Sequence, residues 1–284
     1  MKPHRLVVSC PDQPGIVSAV SSFLYDQGAN IVSSHQYSSD PSGGRFFLRM
    51  EFFLEEEPLA ENRAYFEGHF DSEVAAYFGM ERRIRWSNER QKIMILVSKH
   101  DHCLTELLWR SKRGELDAHI AAVVSNHHNS ESDVHAAGIS FYHVTADDKD
   151  WSEQKIIELT RRLDIDLLVL ARYMQILSGN CLSRIAAPAI NIHHSFLPAF
   201  AGAKPYQQAK DKGVKLIGAT AHYVTETLDD GPIIEQDIVR VDHNQATQDL
   251  ERVGRDIERL VLARAVSLHL DDRVFVNGGS TVVF

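Results

Sequence analysis

Two short groups of polar residues have the types and spacing that acyl chemistry needs. The first is Asn191-Ile192-His193, where a continuous apolar run ends. Alternate residues of a strand point to the same side, so the Asn191 amide and the His193 imidazole would both address one carbonyl oxygen in a crevice. A polar strand end whose side chains satisfy loop backbone is the alternative interpretation.

The second group is the acidic turn around Asp229, which ends at Gly231-Pro232. A predicted strand precedes the turn and another follows it, so Asp229 could reach a histidine on a neighbouring element. An ordinary hairpin turn is the alternative interpretation here, because Asp before Gly is common in turns.

The elements around these groups predict an α/β sheet. Apolar runs typical of strands buried on both faces alternate with helical patterns. The predicted strands are 92–97, 120–124, 166–171, 189–192, 218–225 and 232–240. A helix is predicted over 152–163, with Ser152 as its N-cap. Such alternation is typical of a doubly wound sheet, where ligands bind beyond the carboxyl ends of strands.

The first 86 residues follow a different pattern, which predicts the order βαββαβ. The predicted elements are strand 5–9, helix 16–27, strand 30–38, strand 46–54, helix 59–78 and strand 82–86. In the third strand, apolar residues alternate with Arg45, Arg49 and Glu51, which predicts one solvent-facing side. The polar segment 87–91 lacks periodicity, so we predict domains over 1–86 and 92–284 with a linker between them.

Composition limits the possible classes of function. The chain has 284 residues, of which 44% are hydrophobic and 24% charged, which predicts two folded domains. A net charge of −9 disfavours nucleic acid as a partner, and no apolar stretch is long enough for a membrane helix. Three widely spaced cysteines indicate a reducing compartment, so we expect a cytoplasmic protein.

Taken together, the two polar groups resemble the active-site motifs of folate-dependent formyltransferase-type enzymes. Asn191-x-His193 is followed by Leu228-Asp229-Asp230-Gly231-Pro232, and segment 171–178 is similar to the folate-pocket segment of that family. The resemblance spans roughly 92–284. It implies a Rossmann-like formyltransferase domain that acts on 10-formyltetrahydrofolate as substrate and needs no cofactor.

The resemblance also implies roles for particular residues. Asn191 and a protonated His193 would stabilise the oxyanion, and Asp229 would pair with His193 and orient or deprotonate the attacking water. The implied folate-binding residues are Met174, Ile176, Leu177, His222, Glu226 and Asp230. No metal is expected, because the chain lacks an H-E-x-x-H motif and the adjacent pair His193-His194 would diverge on a strand.

Residues 3–86 resemble an ACT domain, a ferredoxin-like module that binds effectors. The implied effector-binding residues are Asp12, Gly15, Asn30 and Ile31. The expected effector is an amino acid, glycine or methionine. ACT domains usually pair with one another, so the resemblance also implies a homo-oligomer. An ACT module before a formyltransferase domain resembles the hydrolytic branch of the family, which hydrolyses 10-formyltetrahydrofolate to formate and tetrahydrofolate. The formate would supply purine synthesis.

Two other functions stay open at this point. A glycinamide ribonucleotide formyltransferase would hold a substrate phosphate on a glycine-rich loop after its first strand. Residues 98–104 contain no glycine there, and Asp101 would oppose the anion, although Lys99 could bind it. A non-catalytic amino-acid sensor would use only the ACT module and leave Asn191, His193 and Asp229 without a purpose.

Overall fold

The computed structural model describes residues 2–40, 42–56, 58–199 and 205–284. The chain forms two compact units: the first runs to Glu89 and includes Phe284, and the second runs from Arg90 to Val283. The linker bounds of 87–91 stay a prediction, and Gln91 belongs to a strand of the second unit. Among the described residues, no helix is both long and apolar enough to cross a membrane.

The first unit is an antiparallel sheet with helices packed against it. Its elements are β1 (His4–Pro11), α1 (Ile16–Asp26), β2 (Asn30–Ser38), β3 (Arg45–Phe53), α2 (Ala60–Phe70), α3 (Ala76–Phe78) and β4 (Glu81–Arg85). A π-helical turn, Asp71–Ala75, joins α2 to α3. The strand order is β2-β3-β1-β4, and all three neighbouring pairs are antiparallel. This arrangement confirms the predicted βαββαβ ferredoxin-like fold.

Helix α1 packs on the sheet through residues one turn apart, of which Val20, Phe23 and Leu24 are buried. The predicted solvent-facing side of β3 is wrong at Arg49, whose side chain is buried. An ion pair of 2.7 Å with Glu51 compensates the guanidinium there. The pairing explains why a charged residue can interrupt an apolar strand without facing water.

The three tryptophans of the chain occupy different environments. Trp86, in the first unit, is only 2% exposed, and its ring packs edge-on against Phe66 with 5.5 Å between the ring centroids. Trp109 and Trp151, in the second unit, are 50% and 44% exposed. The only strongly buried tryptophan therefore belongs to the first unit.

The second unit is a doubly wound α/β domain, as predicted. Its strands are β5 (Gln91–Val97), β6 (Ala118–Ser125), β7 (Ser140–His143), β8 (Leu167–Ala171), β9 (Ala189–His193), β10 (Leu216–Tyr223) and β11 (Ile233–Arg240). Its helices are α4 (His102–Arg113), α5 (Glu131–Ala136), α6 (Lys149–Arg162), α7 (Gly179–Arg184), α8 (Pro205–Asp211) and α9 (Thr247–Leu270). A hairpin of β12 (Val274–Asn277) and β13 (Ser280–Val283) follows α9.

Within the described chain, seven strands form one sheet in the order β11-β10-β9-β8-β5-β6-β7. The pairs from β9 to β7 are parallel, whereas β10 is antiparallel to both β9 and β11. The chain order reverses between β5 and β8, so the crevice for a ligand should lie beyond the carboxyl ends of these strands. Ser98 and Arg172 follow those two ends.

The predicted start of the helix at Ser152 is wrong. Helix α6 begins at Lys149, and the side chain of Asp148 accepts a hydrogen bond of 3.0 Å from the Trp151 backbone N–H. Asp148 is therefore the N-cap, because its carboxylate satisfies a free N–H of the first turn. Ser152 lies inside the helix and donates to the Lys149 carbonyl.

Candidate active site

The register of β9 and β10 brings the two predicted polar groups together. Asn191 pairs directly with His222 across these strands, and His193 pairs with Thr220. Asn191 and His193 line the same cavity. The Thr220 hydroxyl donates to the Ser195 carbonyl at 2.9 Å and accepts from the Leu197 N–H at 3.0 Å. Thr220 thus holds the loop that follows His193.

Asp229 pairs with His193. The Nδ1 atom of His193 lies 3.2 Å from Oδ2 of Asp229. Burial raises the pKa of Asp229, but the hydrogen bond and charge of His193 outweigh it, so the pKa of Asp229 lies below its usual value. The Nε2 atom of His193 is buried and has no hydrogen-bond partner among the described residues. The imidazole is therefore held at one nitrogen, and its other nitrogen is available to a ligand.

His222 orients the Asn191 amide. Its Nδ1 lies 2.8 Å from the Tyr223 carbonyl, which can only accept, so Nδ1 carries a proton. Burial lowers the pKa of His222, so the ring is neutral at pH 7 and its Nε2 has a free lone pair. Nδ2 of Asn191 lies 3.3 Å from this Nε2 and donates to it. The second N–H of the Asn191 amide remains for a ligand.

Gly231 is required by the close approach of the acidic turn to β10. A Cβ atom at this position would lie 1.7 Å from the carbonyl oxygen of Tyr223 and 3.2 Å from Nδ1 of His222. Any side chain would therefore displace the carbonyl that fixes the His222 tautomer. Asp229 itself has a φ of 56°, a left-handed conformation that Asp adopts more readily than most residues.

These residues line a cavity of about 510 Å³. Its polar side carries Asn191, His193, His222 and Asp229. Its apolar and rim residues include Leu170, Met174, Ile176, Leu177, Val224, Glu226 and Leu228. The structure thus gathers the predicted folate-binding residues in one place except Asp230, which is exposed and does not line this cavity.

Hydrogen bonds at both ends hold the wall formed by segment 173–177. The Ser98 hydroxyl accepts a hydrogen bond of 3.1 Å from the Met174 N–H. At the other end, the Glu153 carboxylate accepts from the Ser178 N–H at 2.7 Å and from its hydroxyl at 2.5 Å. This wall is therefore anchored at both ends to β5 and α6.

The sequence analysis missed a charged group next to this cavity. Arg172 directly follows β8, and its Nε lies 3.3 Å from Oε2 of Glu258 on α9. Glu258 is 1% exposed and also accepts from Nε2 of His102 at 2.8 Å and from the Tyr206 hydroxyl at 2.5 Å. Burial raises the pKa of Glu258, but the contacts with His102 and Arg172 lower it further, so this pKa lies below its usual value. Arg172 stood inside the matched segment 171–178, but nothing in the sequence connected it to Glu258.

The predicted divergence of His193 and His194 is wrong, because β9 ends at His193 and the two ring centroids lie 5.1 Å apart. One group of possible metal ligands occurs nearby, namely His102, Cys103 and Glu258, whose ligand atoms lie within 4.8 Å of one another. Burial raises the pKa of Cys103 well above its usual value, and the charge of Arg172 opposes a cation. The expectation of no metal and no cofactor stays a prediction.

The predicted effector residues lie at two neighbouring points of the first unit. Asp12 follows β1 and accepts a hydrogen bond from the Ser38 hydroxyl. Gly15 is the N-cap of α1 with a φ of 95°, and Asn30 and Ile31 begin β2. Their role in binding an effector stays a prediction.

Comparison with known proteins defines the class first. Residues 91–266 match the formyl transferase family and residues 4–63 match the ACT domain. The chain thus combines an ACT domain with a formyl transferase domain that follows it.

Full-length relatives define the family. A formyltetrahydrofolate deformylase of Bacillus subtilis (strain 168) is 52% identical over 99% of this chain and 93% of its own length. One from Mycobacterium tuberculosis (strain H37Rv) is 50% identical over 99% of this chain and 90% of its own. The crystal structure of a formyltetrahydrofolate deformylase from Pseudomonas syringae pv. tomato has a TM-score of 0.95 and 45% identity, covering 100% of this chain and 95% of that one. The chain belongs to the formyltetrahydrofolate deformylase family, which confirms the predicted hydrolytic branch.

Proposed function

We propose that this protein hydrolyses 10-formyltetrahydrofolate to formate and tetrahydrofolate, and that Asn191, His193 and Asp229 act on the formyl group. The observation that carries the roles of these residues is the pairing of His193 with Asp229 at 3.2 Å, which leaves Nε2 of His193 buried and unpartnered. This arrangement leaves Nε2 of His193 available in a cavity that the Asn191 amide and the Asp229 carboxylate also line.

The reaction breaks the bond between the formyl carbon and the bridge nitrogen of the folate. Water adds its oxygen to the formyl carbon and loses a proton, and the carbonyl oxygen becomes an oxyanion. The C–N electron pair then returns to nitrogen, which takes up a proton, and the formic acid ionises to formate. A formamide is a poor electrophile, so stabilisation of the oxyanion is the main demand on the protein.

Asn191 and His193 meet this demand by donating hydrogen bonds. The Asn191 amide keeps one N–H free, because its other N–H is used by His222. In its imidazolium form, His193 donates from Nε2 to the oxyanion and passes this proton to the leaving nitrogen. It regains a proton from Asp229, which has taken one from the attacking water. Loss of one such donor typically lowers the rate by about 10²–10³.

Asp229 acts on the water. Its lowered pKa keeps it a carboxylate at neutral pH, so it can accept a hydrogen bond or a proton. One of its oxygens is bound to His193, and the other lies 3.9 Å from His222. The second oxygen is therefore the one that orients the attacking water.

The pterin end of the folate occupies the cavity of about 510 Å³. This volume falls within the range of pockets that take small molecules, about 300–1,000 Å³. Leu170, Leu177 and Val224 supply apolar contacts for a flat ring system. We assign Met174, Ile176, Leu177, His222 and Glu226 to folate binding, together with Asp230 at the end of the acidic turn.

We also propose a regulatory role for the first unit. An amino acid, glycine or methionine, would bind at Asp12, Gly15, Asn30 and Ile31, and the ACT domains of two copies would pair in a homo-oligomer. The formate would supply purine synthesis. The three cysteines are free and buried, which supports a cytoplasmic location.

The test is incubation of the full-length protein with 10-formyltetrahydrofolate without any acceptor amine. We expect stoichiometric formate and tetrahydrofolate. Formyl transfer that needs glycinamide ribonucleotide would identify a transferase, and no reaction with water or with that amine would favour an amino-acid sensor. Both results would contradict the proposal.

A further inference from the structure

A second cavity, of about 450 Å³, adjoins the first in the same unit. Arg172 and His194 line both cavities. The second cavity is otherwise polar, with His100, Tyr206 and Arg255 among its lining residues. The proposed mechanism uses none of these five residues.

Arg172 presents unused hydrogen-bond donors there. Its side chain is 10% exposed, and its Nε and Nη1 atoms are buried without a hydrogen-bond partner in the described part of the chain. Buried donors of a charged group are costly unless a partner is supplied. Its backbone has a φ of 63°, a left-handed conformation that is uncommon for a residue with a long side chain. These features indicate that a ligand completes the site.

The carboxylate beside Arg172 does not satisfy it. Glu258 already accepts hydrogen bonds from His102 and Tyr206, so its contact with Arg172 is an ion pair of 3.3 Å without a hydrogen bond. Glu258 therefore lowers the cost of burying the guanidinium but leaves its Nη1 donor unoccupied. The other acidic residue of the lining, Glu251, is exposed.

At the histidines of this cavity, the positive charge of Arg172 has a larger effect than the negative charge of Glu258. Burial lowers the pKa of His194 to about 3, and Arg172 is the next largest cause, ahead of the opposing effect of Glu258. Burial also lowers the pKa of His100, and the charge of Arg172 is again the second largest cause. Both imidazoles are thus neutral at pH 7. Arg255 lies on α9 one turn before Glu258, and no described acidic side chain forms an ion pair with it.

We propose that the second cavity binds the formate anion released by the reaction, with its carboxylate on the guanidinium groups of Arg172 and Arg255. This inference rests on the proposed function. A carboxylate suits an arginine because its two oxygens match the paired N–H groups of the guanidinium. Because Arg172 and His194 border both cavities, the anion has a site adjacent to His193 and separate from the apolar walls that take the folate.

The direct test is a titration of the full-length protein with carbon-13 labelled formate, followed by the broadening of its NMR signal at constant ionic strength. We expect binding that persists when tetrahydrofolate is present. Arg255→Gln should weaken this binding by about tenfold, equivalent to 1.4 kcal/mol for a lost charged hydrogen bond. Arg255→Lys keeps the charge and should recover part of the affinity.

Arg259→Gln is the matched control. Arg259 lies one turn further along α9, does not line this cavity, and pairs with Glu106 at 2.8 Å. Its substitution should leave formate binding unchanged. The inhibition constant of added formate should rise in Arg255→Gln together with the binding constant and should stay unchanged in Arg259→Gln.

Three results would overturn the inference. The first is a formate affinity that is unchanged in both Arg255→Gln and Arg172→Lys. The second is competitive displacement of formate by tetrahydrofolate. Thirdly, inorganic phosphate could bind in an Arg255-dependent manner while formate does not, which would assign the cavity to a phosphorylated ligand. Since the titration needs no turnover, Arg255-dependent formate binding without formate production would contradict the proposed function and not the anion site.

Discussion

Asn191 and His222 face each other across β9 and β10, with 3.3 Å between Nδ2 of the amide and Nε2 of the imidazole. The tautomer of His222 is set by the Tyr223 carbonyl, so the orientation of the Asn191 amide follows from a backbone contact on the next strand. The oxyanion donor is thus prepared before any substrate arrives, which is the condition under which such donors are most effective.

The first prediction concerns Asp229. Asp229→Asn should lower kcat for formate release by about 10³ while KM changes little, because the amide cannot accept a proton from water. The measurement is steady-state formate release with 10-formyltetrahydrofolate. Asp230→Asn is the comparison within the same turn: Asp230 is exposed and does not line the cavity, so as a proposed folate-binding residue it should affect KM and leave kcat unchanged. Equal losses of kcat in both variants would show that the conformation of the turn, and not the Asp229 carboxylate, determines the rate.

The second prediction treats His222 as a positioning residue. His222→Phe should lower kcat by about 10-fold or more, because the Asn191 amide then loses the partner that orients it. If His222 acts through Asn191, the double variant with Asn191→Ala should be no slower than Asn191→Ala alone. Additive losses in kcat would contradict this route, whereas a raised KM alone would reflect the contact with folate that is proposed for His222.

The third prediction concerns Glu258 and pH. Its folded-state pKa is lowered, so its contribution to stability is complete above the ordinary glutamate value of about 4.3 and is lost as the pH falls through the folded value. Glu258→Gln should cost about 3 kcal/mol of unfolding free energy at pH 7, because it leaves Arg172 unpaired. Urea titrations at pH 7 and about pH 3.5 should show this difference shrinking in acid.

Glu251→Gln is the control for that experiment. Glu251 lies on the same helix but is exposed, so its substitution should change the free energy of unfolding little at either pH. A stability difference between the unaltered protein and Glu258→Gln that stays constant from pH 7 to about pH 3.5 would show that the carboxylate charge is not responsible.

The fourth prediction concerns Gly231. Gly231→Ala should lower the melting temperature and impair kcat together, because the added methyl group would lie 1.7 Å from the Tyr223 carbonyl oxygen. Calorimetry and formate assays measure the two effects. Gly279→Ala is the control, since a Cβ there meets nothing within 4 Å. Normal activity in Gly231→Ala would mean that the acidic turn moves without disturbing His222.

Much of the site was predictable because it depends on local patterns. Strand alternation placed Asn191 and His193 on one side, and the resemblance to a known family added Asp229. The environment of Arg172 was not predictable, since Glu258 reaches it from α9 and Tyr206 of α8 contacts Glu258, both far along the chain. No sequence periodicity reports such a contact.

Short elements were missed for a different reason. Strand β7 has four residues at the edge of the sheet, two of them exposed, so it carries no continuous apolar run. Helices α5 and α7 have six residues each, too few for a repeated apolar stripe. Conversely, the start of α6 was misplaced because Asp148 and Ser152 both suit an N-cap, and only the hydrogen bond to Trp151 distinguishes them.

The distribution of tryptophans gives each unit its own optical behaviour. Trp86 is buried in the first unit, whereas Trp109 and Trp151 of the second unit are already about half in water. Unfolding of the first unit should therefore shift the intrinsic fluorescence spectrum to longer wavelength, and unfolding of the second should shift it much less. The wavelength of the emission maximum can thus follow the order in which the two units unfold.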